Sequence, residues 1–268
     1  MSLKFDHYVH LTNSPEETSD EFEKIGLHVV PGGRHEHAGT YNHLSYFGLS
    51  YIEIIGVFDY HLVKEATSVK YSLRDTFAKN NFEEGPQRIA LRHDNLQQLA
   101  DQFKEAGLEV NGPVDFSRKR PDGSLVTWKL LFAGKPSESI RLPFFIQWDE
   151  SDEERLADLK KRGVIGTHEA GSVSIDGAAF TVNNLEAAVS NWSELLQLEK
   201  GEIVEDTEWN AKAQRLKLPG GDIIFYEPLG EGIVKNALDS KGEGLFALQF
   251  KSSDKASTTI SKSLYRFI

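Results

Sequence analysis

Two residues on two short stretches carry the first hint of chemistry. His7 stands in FDHYVHLT, residues 5–12, and Glu53 in SYIEIIGVF, residues 50–58. Both stretches alternate like half-buried strands, in which every second side chain shares a face. That period puts Phe5, His7, Val9 and Leu11 on one face, and Tyr51, Glu53 and Ile55 on another. A carboxylate among Tyr51, Ile52, Ile54 and Ile55 is costly to desolvate unless a partner or a cavity receives it. A His and a Glu held inward by two strands could begin a metal site. The competing reading is two hydrogen-bonded polar groups that only complete a sheet, since buried ionisable groups often serve structure alone.

Composition narrows the chemistry. The 268 residues contain no cysteine, so disulfides, thiolate catalysis and thiolate-held metals are excluded. Absent cysteine fits a reducing cytoplasm. The formal net charge of −11 disfavours nucleic acid as a partner. The densest basic cluster is SRKRPDG, residues 117–123, and its Pro-Asp-Gly reads as the turn of a solvated loop. No apolar run approaches the about 18 residues of a membrane-spanning helix. MSLKFDHY lacks the apolar stretch of a secretory signal. The expected protein is cytoplasmic and independent of membranes.

The elements that must position His7 and Glu53 follow in order. NSPEETSDEFEKIG has a helix start at Ser14 and Glu17, with Pro15 in the first turn and Gly26 as its stop. LHVVPGG, TYNHLSYFG and SYIEIIGVF then read as three strands. Residues 60–85 read as polar and irregular. GPQRIALRH reopens the pattern as a strand. A helix capped by Asp94 follows, with Leu96, Leu99 and Phe103 as its buried stripe and Gly107 as its end. LEVNGPVDF, LVTWKLLFAG and LPFFIQW supply three more strands.

The spacing makes this a repeat. Asn13 and Asp94 lie 81 positions apart, as do Gly26 and Gly107, and His7 and Arg88. After a charged helical connector over residues 149–170, a third copy begins. Asp6 and Asp176 differ by 170, as do Asn13 and Asn183. Its helix carries Leu185, Ala188, Val189, Trp192 and Leu196 on one side. A fourth copy only starts: GLFALQF reads as a strand and SSDKASTTISKSLYRF as a helix, leaving its last three strands absent.

Repeated βαβββ modules, with Asp-His on the first strand and apolar-Glu-apolar on the fourth, resemble the vicinal-oxygen-chelate superfamily. GGRHEHAGTYNHL, residues 32–44, is similar to the signature of its glyoxalase-like branch, matched at His35, Gly39, Thr40 and Asn42. The resemblance implies an α+β fold in which paired modules form a curved-sheet barrel around a cavity, with metal ligands on the first and fourth strands. Carried over by position, these are His7 and Glu53 in copy one, and Arg88 and Gln147 in copy two. Arg has no lone pair to offer a metal, and Gln is a neutral donor. In copy three the same positions hold Gly177 and Ile224, with Glu227 nearby as a strand-end carboxylate.

The chain therefore divides into a two-module barrel, residues 1–150, and a degenerate third module with an incomplete fourth, residues 165–268. His7 and Glu53 are the candidate catalytic or metal-holding residues. His35, Thr40, Asn42, Arg88 and Gln147 are the candidate ligand contacts. Arg88 either clamps a ligand anion or pairs with Glu53 and takes the place of a metal. The favoured function is a metal-free small-molecule-binding protein. The first alternative is a lyase, isomerase or dioxygenase holding one divalent ion (Zn, Mn, Ni or Fe) that polarises vicinal oxygens. The second is a structural or interaction module. The unfinished fourth copy leaves an open sheet edge, to be covered by the first barrel or by a second chain in a homodimer.

Overall fold

The computed structural model describes residues 3–120 and 122–268. Met1, Ser2 and the Pro121 position of the expected turn lie outside the described residues. The first module runs β1 (Lys4–Leu11), α1 (Pro15–Lys24), β2 (Val30–His35), β3 (Thr40–Phe47) and β4 (Ser50–Val57). After α2 (Tyr60–Glu65), a 3₁₀ turn and α3 (Leu73–Lys79), the second runs β5 (Gly85–Arg92), α4 (Leu96–Glu105), β6 (Glu109–Lys119), β7 (Leu125–Gly134) and β8 (Phe144–Trp148). Their strands close into a barrel of order β1-β4-β3-β2-β6-β7-β8-β5. β1 lies parallel to β4, β5 parallel to β8, and β1 antiparallel to β5. The closure on the far side is thin, through Arg34 opposite Lys119. This is the mixed α/β architecture of paired βαβββ modules that the repeat predicts.

The repeat is faithful at the helix ends. Ser14 Oγ accepts from Glu17 N in α1, and Asn95 Oδ1 from Gln98 N in α4. The cap of α4 is thus Asn95, one residue past the expected Asp94, and it keeps the 81-residue offset from Ser14. Gly26 and Gly107 follow the two helices with the same φ of +78°. Residues 60–85 are more ordered than expected. Ser72 caps α3, and Phe77 of that helix is fully buried against the barrel. One apolar pair at helical spacing, Leu73 and Phe77, is too short a pattern to announce a helix.

The third module runs β9 (Ser174–Thr181), α6 (Leu185–Leu196), β10 (Val204–Asp206), β11 (Ala211–Leu216) and β12 (Asp222–Pro228). The connector carries α5 (Asp152–Lys161), opened by a capping box between Ser151 and Glu154. Past α7 (Ile233–Lys241), the fourth copy is β13 (Gly244–Lys251), β14 (Ala256–Ile260) and β15 (Ser263–Phe267). The helix expected over its last residues is therefore a hairpin. Thr258, Thr259 and Ile260 favour a strand, and Ser261 and Lys262 take φ of 40° and 63°, as a tight hairpin turn requires. What the fourth copy lacks is its helix and the strand after it. The second sheet, β10-β11-β12-β9-β13-β15-β14, consequently stays open where the first closes.

The open sheet packs on the barrel. One hydrophobic cluster joins Phe5, Tyr8 and Phe22 of the first module to Phe180, Phe250 and Tyr265 of the second sheet. The two halves also share Phe5 N–H donating to Pro219 O at 2.9 Å. Here the expected face of β1 needs correction. A bulge between Phe5 and His7 turns Phe5 outward into this shared core, while Val9 and Leu11 stay with the barrel interior.

Candidate functional site

The barrel interior holds a narrow cavity of about 80 Å³. β1 contributes His7; β4 contributes Tyr51, Glu53 and Ile55; β3 contributes Thr40 and Asn42. The aromatic wall comes from β6 to β8, chiefly Phe116, Trp128, Phe132, Phe144 and Trp148. α3 closes one end with Leu73, Arg74 and Phe77. Every lining residue falls between His7 and Trp148, so the barrel alone builds the cavity.

His7 and Glu53 are both nearly inaccessible, at 4% and 7% exposure. His7 Nε2 stands 3.6 Å from Glu53 Oε2. Its Nδ1 donates to Asp6 Oδ1 at 2.7 Å. That bond orients the ring so that Nε2 faces Glu53. The ring is stacked on Tyr51 at 4.6 Å and edge-on to Phe144 at 5.3 Å, which fixes its plane. Asp6 itself is fully buried and anchored. Trp148 Nε1 donates to Asp6 Oδ2 at 2.9 Å, and Arg155 of α5 stands 3.6 Å away. Burial acts to raise the Asp6 pKa, but Arg155, His7 and Arg92 outweigh it and hold the carboxyl at about 2. Asp6 therefore stays an anion behind His7.

Glu53 has a second tie. Asn42 Nδ2 donates to Glu53 Oε1 at 2.6 Å, and Asn42 Oδ1 accepts from an Arg118 terminal nitrogen at 3.2 Å. The amide thus links carboxylate to guanidinium, and only one orientation of it satisfies both. His35 pairs with Thr40 Oγ1 at 3.0 Å and sits edge-on to Trp128. Burial depresses its pKa to about 3, reinforced by the charges of Arg118 and Arg74. Burial and the nearby Asp6 and Glu53 charges push the Tyr51 hydroxyl well above its usual range.

His7 and Glu53 meet at one cavity with His35, Thr40 and Asn42, the first two from their strand positions and the other three from the resembling signature. Arg88 and Gln147 do not line it. The Arg88 guanidinium donates to Tyr71 O and Thr76 Oγ1, each at 3.0 Å, and braces α3 instead of pairing with Glu53. Gln147 Oε1 accepts from Leu96 N at 2.9 Å and caps α4 on the outside of the barrel. The strand ladder explains the second correction. Glu53 lies opposite Val9, and 81 residues on, Ala90 lies opposite Phe144. Phe144, not Gln147, is the counterpart of Glu53; the likeness of FIQ to YIE is out of register. In the third module Gly177 and Ile224 stand as expected, Ile224 opposite Ala179.

The sequence pattern does not single out Arg118, Arg74 or Asp6 as site residues. Arg118 does carry a signal: it alternates with Phe116, so both fall on the inner face of β6. The basic run is only partly a solvated loop, since Arg118 is 9% exposed and Arg120 pairs with Asp158 of α5 at 3.1 Å.

The donor set does not fit a firmly held divalent ion. His7 and Glu53 offer two ligands, while the paired module has Phe144 at the Glu53 position, with no lone pair to give, and Arg88 turned away to α3. Among the described residues no three His, Cys, Asp or Glu are placed to hold a metal ion together.

The chain belongs to the glyoxalase-like domain family, whose sequence model matches residues 5–196. Its fold is that of the vicinal-oxygen-chelate superfamily. A hypothetical protein from Staphylococcus aureus is similar in structure, with a TM-score of 0.81 and 24% identity over 99% of each chain. A mutant 4-hydroxymandelate synthase from Streptomyces coelicolor matches with a TM-score of 0.56 and 12% identity, over 95% of this chain and 72% of that one. At these identities the likeness shows the fold alone. No curated protein sequence matches this one. No helix among the described residues is long and apolar enough to cross a membrane.

Proposed function

We propose that the protein binds a small molecule inside the residue 1–150 barrel, against His7 and Glu53, without a resident metal ion. The observation that carries this reading is the convergence of His7 Nε2 and the Glu53 carboxylate on a cavity otherwise walled by aromatic side chains. Ligand sites have this composition: a mostly apolar wall and a few placed polar groups. A ligand hydroxyl or N–H beside this 3.6 Å pair can donate to Glu53 Oε2. Calorimetric titration with Zn²⁺, Mn²⁺, Ni²⁺ or Fe²⁺ tests the metal-free part. The expected result is no tight one-to-one binding; tight binding abolished by Glu53→Gln overturns it. A fragment screen by ligand-observed NMR tests the cavity. Fragments should bind the wild type and be displaced from Ile55→Phe, which fills the cavity; equal binding to both would place the site elsewhere.

A second reading is proton transfer on the bound molecule, as in lyases and isomerases. The Asp6–His7 bond favours it, because a carboxylate that orients an imidazole and supports its protonated form suits a general base. On that reading His7→Gln lowers turnover about 100-fold or more while leaving ligand affinity within a few-fold.

A further inference from the structure

We infer that the ligand of this cavity is a small organic monoanion, a carboxylate with a compact apolar body, seated on Arg118 and Arg74. The inference rests on the cavity reading above and names the class of molecule for it.

The argument is one of charge. The cavity wall carries one carboxylate, Glu53, and two guanidinium groups, Arg74 and Arg118. Asp6 stands behind His7 and is already matched by Arg155 and Arg92. The wall thus carries one more guanidinium than carboxylate. This happens in a chain whose formal net charge is −11, where carboxylates are plentiful. Among the described residues none of those carboxylates lies within ion-pair distance of Arg118 or Arg74. An arginine kept dry without a counter-ion is costly, and a structure retains it where a ligand supplies the anion.

The unused hydrogen-bonding capacity points the same way. Arg118 is more than nine-tenths buried, and its single protein partner is the Asn42 amide oxygen. The Nε atoms of Arg118 and Arg74 are both buried with no partner. The Arg74 guanidinium lies 5.3 Å from the centre of the Phe116 ring. Burial is the main cause of the depressed His35 pKa, and Arg118 and Arg74 add to it. One missing charge calls for a monoanion, and the guanidinium fork matches a carboxylate in two parallel bonds. The cavity volume limits the body to a small ring or a branched alkyl group. From Arg118, the Asn42 amide leads directly to Glu53, so the anionic end and the His7–Glu53 end of the ligand are held by one connected network.

The test uses the full chain and three matched pairs: benzoate and benzamide, phenylacetate and phenylacetamide, isovalerate and isovaleramide. Calorimetry and ligand-observed NMR should find at least one acid that binds, with its amide at least tenfold weaker. Arg118→Gln should weaken that acid tenfold or more, and Arg118→Lys, which keeps the charge, by less. Arg74→Gln, at a residue with no hydrogen bond or ion pair among the described residues, should weaken it several-fold, and it serves as the test if Arg118→Gln fails to fold. Amides that bind as tightly as acids, or acids indifferent to both arginine substitutions, would overturn the anion class while leaving the cavity reading intact. A cavity that takes neither set, in a wild type whose fold is confirmed, overturns both.

Discussion

At the scale of single residues, Asp6 is the group on which the site leans. It accepts from His7 and Trp148 and balances Arg155 and Arg92, with no exposure to water. Its folded pKa of about 2 lies below the unfolded value near 3.8. A depressed carboxyl pKa means stability that is fully present above about 3.8 and lost as pH falls through 2. The difference contributes about 2 kcal/mol. Asp6→Asn should lower stability by about 3 kcal/mol at neutral pH, because two arginines lose their anion. It should also flatten the acid limb between pH 4 and 2, which urea melts at several pH values will read. Sequence showed His7 and Glu53, because an ionisable residue in an alternating apolar strand stands out. It did not show Asp6, which sits beside His7 in the same motif, at the β1 bulge. Nor did it show Arg74, whose position depends on a two-turn helix with little pattern of its own.

At the scale of elements, the helix stops were legible and the last hairpin was not. Glycine after an amphipathic stripe needs only local sequence to be read, and both Gly26 and Gly107 take the left-handed conformation it predicts. The hairpin of β14 and β15 takes its identity from pairing with β13, a contact the local sequence does not announce. The two glycines allow a controlled comparison. They share a φ of +78°, but a Cβ on Gly26 would come within 2.5 Å of Ala170 N, whereas one on Gly107 meets nothing within 4 Å. Ala170 also donates its N–H to Gly26 O at 3.0 Å, clasping the connector to α1. Gly107→Ala should cost about 1–2 kcal/mol from backbone strain alone. Gly26→Ala should cost clearly more, and equal losses in denaturant melts would show that the clasp contributes nothing.

For the whole molecule, the repeat gave away the barrel, but not how the second half is used. β9 to β15 repeat the strand pairings of the barrel without closing, and their outer side shares a core with it. The junction contains a buried polar pair. Tyr265 O–H donates to His10 Nδ1 at 2.6 Å, and His10 Nε2 donates to Ser261 O at 3.2 Å. Burial holds His10 at a pKa of about 4, below its usual 6.5. Its neutral form is the folded form, so its contribution is complete above pH 6.5 and is lost as pH falls through 4. Because one hydrophobic cluster spans both sheets, the halves should melt in a single calorimetric transition at neutral pH. Two resolved transitions would show that the shared core does not couple them.

The neighbouring strands β7 and β8 set Trp128 directly across from Trp148, with ring centroids 5.5 Å apart and planes 48° from parallel. Two indole chromophores at that separation share their electronic excitation, and the skewed planes make the shared transition chiral. The protein should therefore show an exciton couplet in circular dichroism, absent from Trp128→Phe and from Trp148→Phe alike. Both rings face the cavity, so anything that enters it changes the polarisability between them. The amplitude of the couplet then serves as a label-free optical gauge of occupancy, one that responds to any guest whatever its own absorbance.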